Sequence, residues 1–148
     1  LAPIEQNEPG LSTGLRLIDQ IVKQTAQQGI DAEQVVLMGF SQGSCLALEY
    51  TARHARRYGG IIGFSGGLVG PPGTPRNYVG NLEGTPIFVG CSDADFHIPL
   101  ERVRETSKVL GAMGAQVDER IYPGMGHTVN QDELTAARQL VQNLVLKS

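Results

Sequence analysis

Gly39-Phe40-Ser41-Gln42-Gly43 reads G-x-S-x-G, the pattern of a serine set on a sharp turn between a strand and a helix. With 19 glycines in 148 residues the pattern arises readily by chance, and Gly63-Phe64-Ser65-Gly66-Gly67 matches it as well. Context separates the two. A Val-rich run precedes Ser41 and a helix-forming stretch follows from Gln42. That helix start would aim backbone N–H groups and a positive dipole end at an oxyanion. Ser65 has a strand before it, but Leu68, Val69 and then Pro71-Pro72 follow, so no helix starts cleanly there. Ser41 is therefore the candidate nucleophile, and the Gln42 N–H a candidate oxyanion donor.

A serine hydroxyl needs a base to take its proton, usually a histidine held by a carboxylate. Three histidines are present. His54 sits among Arg53, Arg56 and Arg57 and reads as a solvated residue at a helix end. His127 lies in a glycine loop, Gly124-Met125-Gly126-His127, between the last strand and the last helix, where a positioned base is expected. His97 follows the third strand and reads as a residue that lines a site without acting directly. Asp93 and Asp95 both stand at that strand end. The spacing Asp95-x-x-Ile98-Pro99 favours Asp95 as the acid, with Asp93 as a turn carboxylate that satisfies backbone N–H groups or as its substitute.

The elements that must position these groups alternate helix and strand. Leu11, Leu15, Ile18, Ile21 and Val22 mark a helix face, with Gly29 as its stop. Residues 35–40 are a continuous apolar run, expected to be a strand buried on both faces. A helix is expected from Gln42 to His54, a strand at 60–64, a long Gly/Pro loop over 65–86, and a strand at 86–91. Pro99 opens a further helix at its first position, residues 116–122 suit a strand nearer the sheet edge, and Asn130 with Glu133 resembles a helix cap ahead of Leu134, Ala137, Leu140, Val141 and Leu144. The order implies an α/β fold: a mostly parallel sheet with flanking helices and chemistry at the C-terminal strand ends.

The motifs Gly39-Phe40-Ser41-Gln42-Gly43, Asp93-x-Asp95-x-x-Ile98-Pro99-Leu100 and Tyr122-Pro123-Gly124-Met125-Gly126-His127-Thr128, in that order, resemble the phospholipase/carboxylesterase family of α/β-hydrolases. That family includes bacterial carboxylesterases and acyl-protein thioesterases. Ala2-Pro3 and Asn7-Glu8-Pro9-Gly10-Leu11 resemble its segment ahead of the nucleophile strand. The resemblance implies a Ser41–His127–Asp95 triad acting on carboxylic esters, thioesters or lipid-like esters, with no metal and no organic cofactor. Two replacements near the site bear on substrate preference: Cys91-Ser92 stands where His-Gly is usual, and Phe96-His97 where Pro and an aliphatic residue are usual.

Members of that family are longer. The resemblance implies that residues 1–148 form the C-terminal part of a single α/β-hydrolase domain, without its first strands and the His-Gly-x-Gly-like loop that supplies the second oxyanion donor. The missing N-terminal segment, or a second copy of the chain, is then the expected partner.

Composition narrows the rest. Twelve Lys+Arg against 15 Asp+Glu, net −3, argue against a nucleic-acid partner. No apolar run approaches the ~20 residues that span a bilayer. Hydrophobic residues at 41 % and charged residues at 18 % suit a globular chain. Cys45 and Cys91 are expected to be free buried thiols, which favours a reducing, cytoplasmic setting. The chain opens at Leu1 without Met and shows no targeting segment, so secretion stays open through an earlier leader. Two further readings remain. Cys91, Asp93, Asp95, His97 and His127 are of metal-ligand type, though without metal-site spacing. A non-catalytic α/β half-domain that binds a partner is the other.

Overall fold

The computed structural model describes residues 2–147; Leu1 and Ser148 lie outside the described residues. Four parallel strands stand in the order β1-β2-β3-β4: β1 Val36–Phe40, β2 Gly60–Phe64, β3 Pro86–Ser92 and β4 Gln116–Tyr122. Helices α1 (Gly10–Gln27), α2 (Gln42–Arg53), α3 (Leu100–Ala112) and α4 (Gln131–Lys147) flank the sheet. The α/β class and the parallel sheet agree with the periodicity of the sequence.

Alternation along the strands divides the core in two. Ile61, Ile87, Val89 and Cys91 face α1, α2 and α3 in the larger cluster. Ile62, Phe64 and Phe88 face α4 through Ala137 in the smaller one. Gly29 ends the first helix at φ 85°, where a side chain would be strained. Asn130 and Glu133 form a reciprocal cap on α4: the Glu133 N–H donates to Asn130 Oδ1 at 2.8 Å, and the Asn130 N–H to Glu133 Oε1 at 3.1 Å. Pro99 precedes α3 as its N-cap rather than sitting in its first turn.

The main correction concerns β1. It is not buried on both faces: Met38 is 65 % and Phe40 44 % exposed. The cause is coverage. Helix α4 packs on β2 and β3 and leaves β1, the edge strand, open on that face. Ile21, Leu134 and Val141 are exposed for a related reason, since each lies just off the packed stripe of its helix. Cys91 is buried as expected, but Cys45 is only half-buried. Among the described residues, no helix is long and apolar enough to cross a membrane.

Leu48 is fully buried, at 0 % exposure, beneath the sheet. Leu48→Ala is expected to cost about 2–5 kcal/mol, whereas Met38→Ala stays within about 0.5 kcal/mol. Urea unfolding midpoints check both, and similar losses would contradict the open face of β1.

Candidate active site

The turn at the end of β1 carries Ser41. Its backbone sits at φ 56°, ψ −117°, a region costly to any side-chain-bearing residue by about 1–3 kcal/mol. Surrounding bonds over-determine it. The Ser41 N–H donates to Phe64 O on β2 at 2.9 Å, and its carbonyl accepts the Cys45 N–H at 3.0 Å as the first intrahelical bond. A Cβ on Gly39 would run into the Gly43 backbone, so the helix can fold back on the strand only because residue 39 is glycine. Gln42 opens α2, where a backbone N–H has no acceptor within the helix, and it lines a cavity together with Ser41.

His127 and Asp95 complete a hydrogen-bonded line. The Ser41 hydroxyl donates to His127 Nε2 at 2.9 Å, and His127 Nδ1–H donates to Asp95 Oδ2 at 2.7 Å. That direction follows from the carboxylate, which can only accept. Burial by itself would push the Asp95 carboxyl up. Bonds from His127 and from the backbone N–H groups of His97 and Ile98 outweigh it and hold the carboxyl below its ordinary range. Cys91 donates its S–H towards Asp95 Oδ2 at 3.7 Å. Burial, then the Asp95 charge, pushes that thiol up to about 12, so it stays protonated at neutral pH.

The loops after β3 and β4 are tied to each other. Asp93 Oδ1 accepts the Gly124 N–H at 2.9 Å, and Ser92 Oγ accepts the N–H of Gly126 at 2.9 Å and of Ala94 at 3.0 Å. Gly124 at φ 61° and Gly126 at φ 81° let the loop turn back so that His127 reaches over β3 towards Ser41. Phe40 and His97 bracket the imidazole, with ring centroids 4.9 Å and 4.6 Å from it.

Of the residues singled out in the sequence, Ser41, His127 and Asp95 are brought together, with the Gln42 backbone beside them. Asp93 is not on the histidine; it holds the loop. Ser65 is buried and no helix follows it; its hydroxyl donates to Thr128 O at 3.4 Å. His54 is half-exposed and stacks on Tyr50. His97 lines the cavity. Among the described residues, no group of three or more His, Cys, Asp or Glu side chains is arranged to hold a metal ion.

Further contributors are the pocket wall and the buried charges behind it. The cavity beside Ser41, about 520 Å³, is walled by Leu11, Leu46, Leu68, Val69 and Ile98. Glu49 is 1 % and Arg102 3 % exposed behind that wall. Glu49 lies in a run of helix residues that are otherwise apolar or small, a weak signal that it faces inward. The sequence marks Ser92 as part of the Cys91-Ser92 replacement, but not as the acceptor that holds the Gly126 N–H.

The sequence model of the phospholipase/carboxylesterase family matches residues 2–145. Acyl-protein thioesterase 1 of Saccharomyces cerevisiae is 33 % identical over 128 residues, covering 84 % of this chain and 56 % of the yeast protein. The protein of the same name from Gibberella zeae is 28 % identical over 138 residues, 87 % of this chain and 56 % of its own length. The chain thus spans about half the length of the curated relatives it matches. A crystal structure of a phospholipase/carboxylesterase from Dyadobacter fermentans superposes with TM-score 0.91 at 44 % identity, over 95 % of this chain and 68 % of that one. The Bacillus cereus carboxylesterase, at TM-score 0.75 and 17 % identity over 90 % and 61 % of the two chains, shares the fold.

Gly39→Ala is expected to cost about 1–3 kcal/mol through the clash with the Gly43 backbone. Gly111→Ala, where the added Cβ meets nothing within 4 Å in a helix, is expected to be neutral or slightly stabilising. Comparison of their unfolding midpoints tests the close approach at the turn.

Proposed function

The chain belongs to the phospholipase/carboxylesterase family of the α/β-hydrolase fold, and on that premise we propose that it cleaves carboxylic esters or thioesters through an acyl-enzyme on Ser41. The observation that carries the reading is the line Asp95–His127–Ser41, at 2.7 Å and 2.9 Å.

In this reading His127 Nε2 takes the Ser41 proton as Oγ attacks the ester carbonyl. Asp95 fixes the tautomer that leaves Nε2 free to accept, and it stabilises the imidazolium as that forms. The carbonyl oxygen, now negative, is held by the Gln42 N–H at the start of α2. His127 returns the proton to the leaving alcohol or thiol, and the tetrahedral centre collapses to the acyl-enzyme. Water, deprotonated by the same nitrogen, then releases the acid and restores Ser41.

A second oxyanion donor belongs to this mechanism. We assign it, with the strands that would continue the sheet past β1, to a segment outside residues 1–148 that completes a single hydrolase domain. Relatives of which the matched residues make up only 56 % and the uncovered face of β1 support that assignment. The small-molecule or lipid-like ester is the proposed ligand.

A fluorophosphonate probe followed by peptide mass spectrometry is expected to modify Ser41, and Ser41→Ala to lower ester turnover by about 10³-fold or more. Turnover that persists in Ser41→Ala, or an adduct on Ser65, would overturn the mechanism.

Asp95→Asn is expected to lower turnover by about 10³–10⁴-fold through loss of the required tautomer. Asp93→Asn keeps an oxygen to accept the Gly124 N–H and leaves turnover within about tenfold. Because Asp95 is held below the ordinary carboxylate range, it stays ionised where imidazoles take up protons. The acid limb of the pH–rate profile is therefore expected to fall with the slope of a single proton. A two-proton slope would show that the carboxylate titrates along with the base.

A further inference from the structure

One wall of the cavity beside Ser41 is a loop, yet two consecutive residues of it, Leu68 and Val69, have all four backbone polar groups held by side chains. The Leu68 N–H donates to Thr106 Oγ1 at 3.0 Å, and the Leu68 carbonyl accepts from Arg102 Nη1 at 2.6 Å. The Val69 N–H donates to Glu49 Oε1 at 2.9 Å, and the Val69 carbonyl accepts from Arg76 Nη1 at 2.7 Å.

The four side chains come from three parts of the chain: Glu49 from α2, Arg102 and Thr106 from α3, and Arg76 from the loop itself. They are cross-braced. Glu105 accepts from Arg76 and Arg102, and Glu49 accepts from Arg53 and from the Tyr78 hydroxyl. The packing beneath is equally tight. A Cβ on Gly66 would meet Ser44, and one on Gly67 would lie 2.9 Å from both Arg102 Cγ and Thr106 Oγ1.

Buried charges are costly to remove from water, so a network of them is weak evidence for stability and invites the question of what geometry it holds. The geometry fixed here is that of Leu68 and Val69, which line the cavity beside Ser41. None of the clamping side chains is bonded to Ser41, His127 or Asp95. Resting on the hydrolase reading above, we propose that Glu49, Arg102 and Thr106 are positioning residues that hold the Leu68–Val69 wall rigid and thereby limit the size of the substrate group admitted beside Ser41. A loop held only by its own apolar contacts would give way to a larger group; one with every polar backbone atom committed does not.

Cys45 offers a readout that needs no catalysis. It lines the same cavity, and its thiol lies against the backbone of Gly67, the residue next to the clamped pair. Thr106→Val keeps the shape of the side chain and removes the acceptor for the Leu68 N–H. Arg102→Met keeps the length of the side chain and removes the donor to the Leu68 carbonyl.

In both variants, alkylation of Cys45 by N-ethylmaleimide, followed by peptide mass spectrometry, is expected to speed up about tenfold, the equivalent of one to two lost hydrogen bonds. The kcat/KM ratio for an octanoyl over an acetyl p-nitrophenyl ester is expected to rise by a similar factor, with acetyl turnover within about twofold. An unchanged Cys45 rate in both variants overturns the proposal. So does a faster Cys45 with an unchanged ester ratio, or an equal fall for both esters. If the parent protein neither hydrolyses ester nor labels at Ser41, the hydrolase reading has failed by itself, and the Cys45 rates still decide whether the wall is clamped.

Discussion

The backbone of Ser41 at φ 56° is the constraint on which the rest depends. A residue other than glycine stays there only if its neighbours leave no alternative. Here the N–H is committed to β2, the carbonyl to the first turn of α2, and the helix start lies on a strand glycine with no room for a methyl group. The register of β1 against β2, Phe40 beside Phe64, places the strained residue at the C-terminal edge of the sheet. Once it is placed, its side chain and the first N–H groups of α2 point into the same space. A relaxed turn would aim them apart.

Around that turn the structure invests its buried polar groups in two places. On one side, Ser92, Asp93 and Asp95 at the end of β3 accept backbone N–H groups from their own loop and from the loop after β4. These bonds tie the two loops into one body, so His127 approaches Ser41 from a braced position although it is carried by a glycine loop. On the other side, the charged cluster behind Leu68 and Val69 does the same for the cavity wall. Loops ordinarily move more than the elements they join. Both loops here are held by side chains, among them Ser92 of β3, Glu49 of α2 and Arg102 and Thr106 of α3, and the expected consequence is a site whose shape is set before any ligand enters.

The uncovered face of β1 is the counterpart of this order. Met38 and Phe40 point to the side where α4 shelters only β2 and β3. Exposed apolar residues on an edge strand with unpaired backbone groups favour pairing with further chain. Phe40 also lies against His127, so anything that covers this face touches the environment of the imidazole.

Local pattern carried the elements. Apolar periodicity and Gly/Pro punctuation located the four strands of the described residues to within about one residue and placed the four α-helices around them, because helix and strand repeats are read within a few neighbours. The line of Ser41, Asp95 and His127 was legible for a similar reason: each sits in a short motif at a strand end, and a parallel sheet puts all such ends on one edge. Tertiary structure alone decided three things. Whether β1 is covered depends on where α4 crosses, which no property of residues 35–40 encodes. That Asp95 and not Asp93 meets His127 was only favoured by spacing; the path of the loop settled it. The bonds from α2 and α3 to Leu68 and Val69 join groups 20 to 38 residues apart, and Arg102 looks like an ordinary surface charge along its helix, while Glu49 shows at most that it faces inward. Periodicity reports which face of an element is apolar. Which distant peptide a buried charge will hold is fixed only when the elements pack, because the bond depends on a distance that the chain acquires in three dimensions.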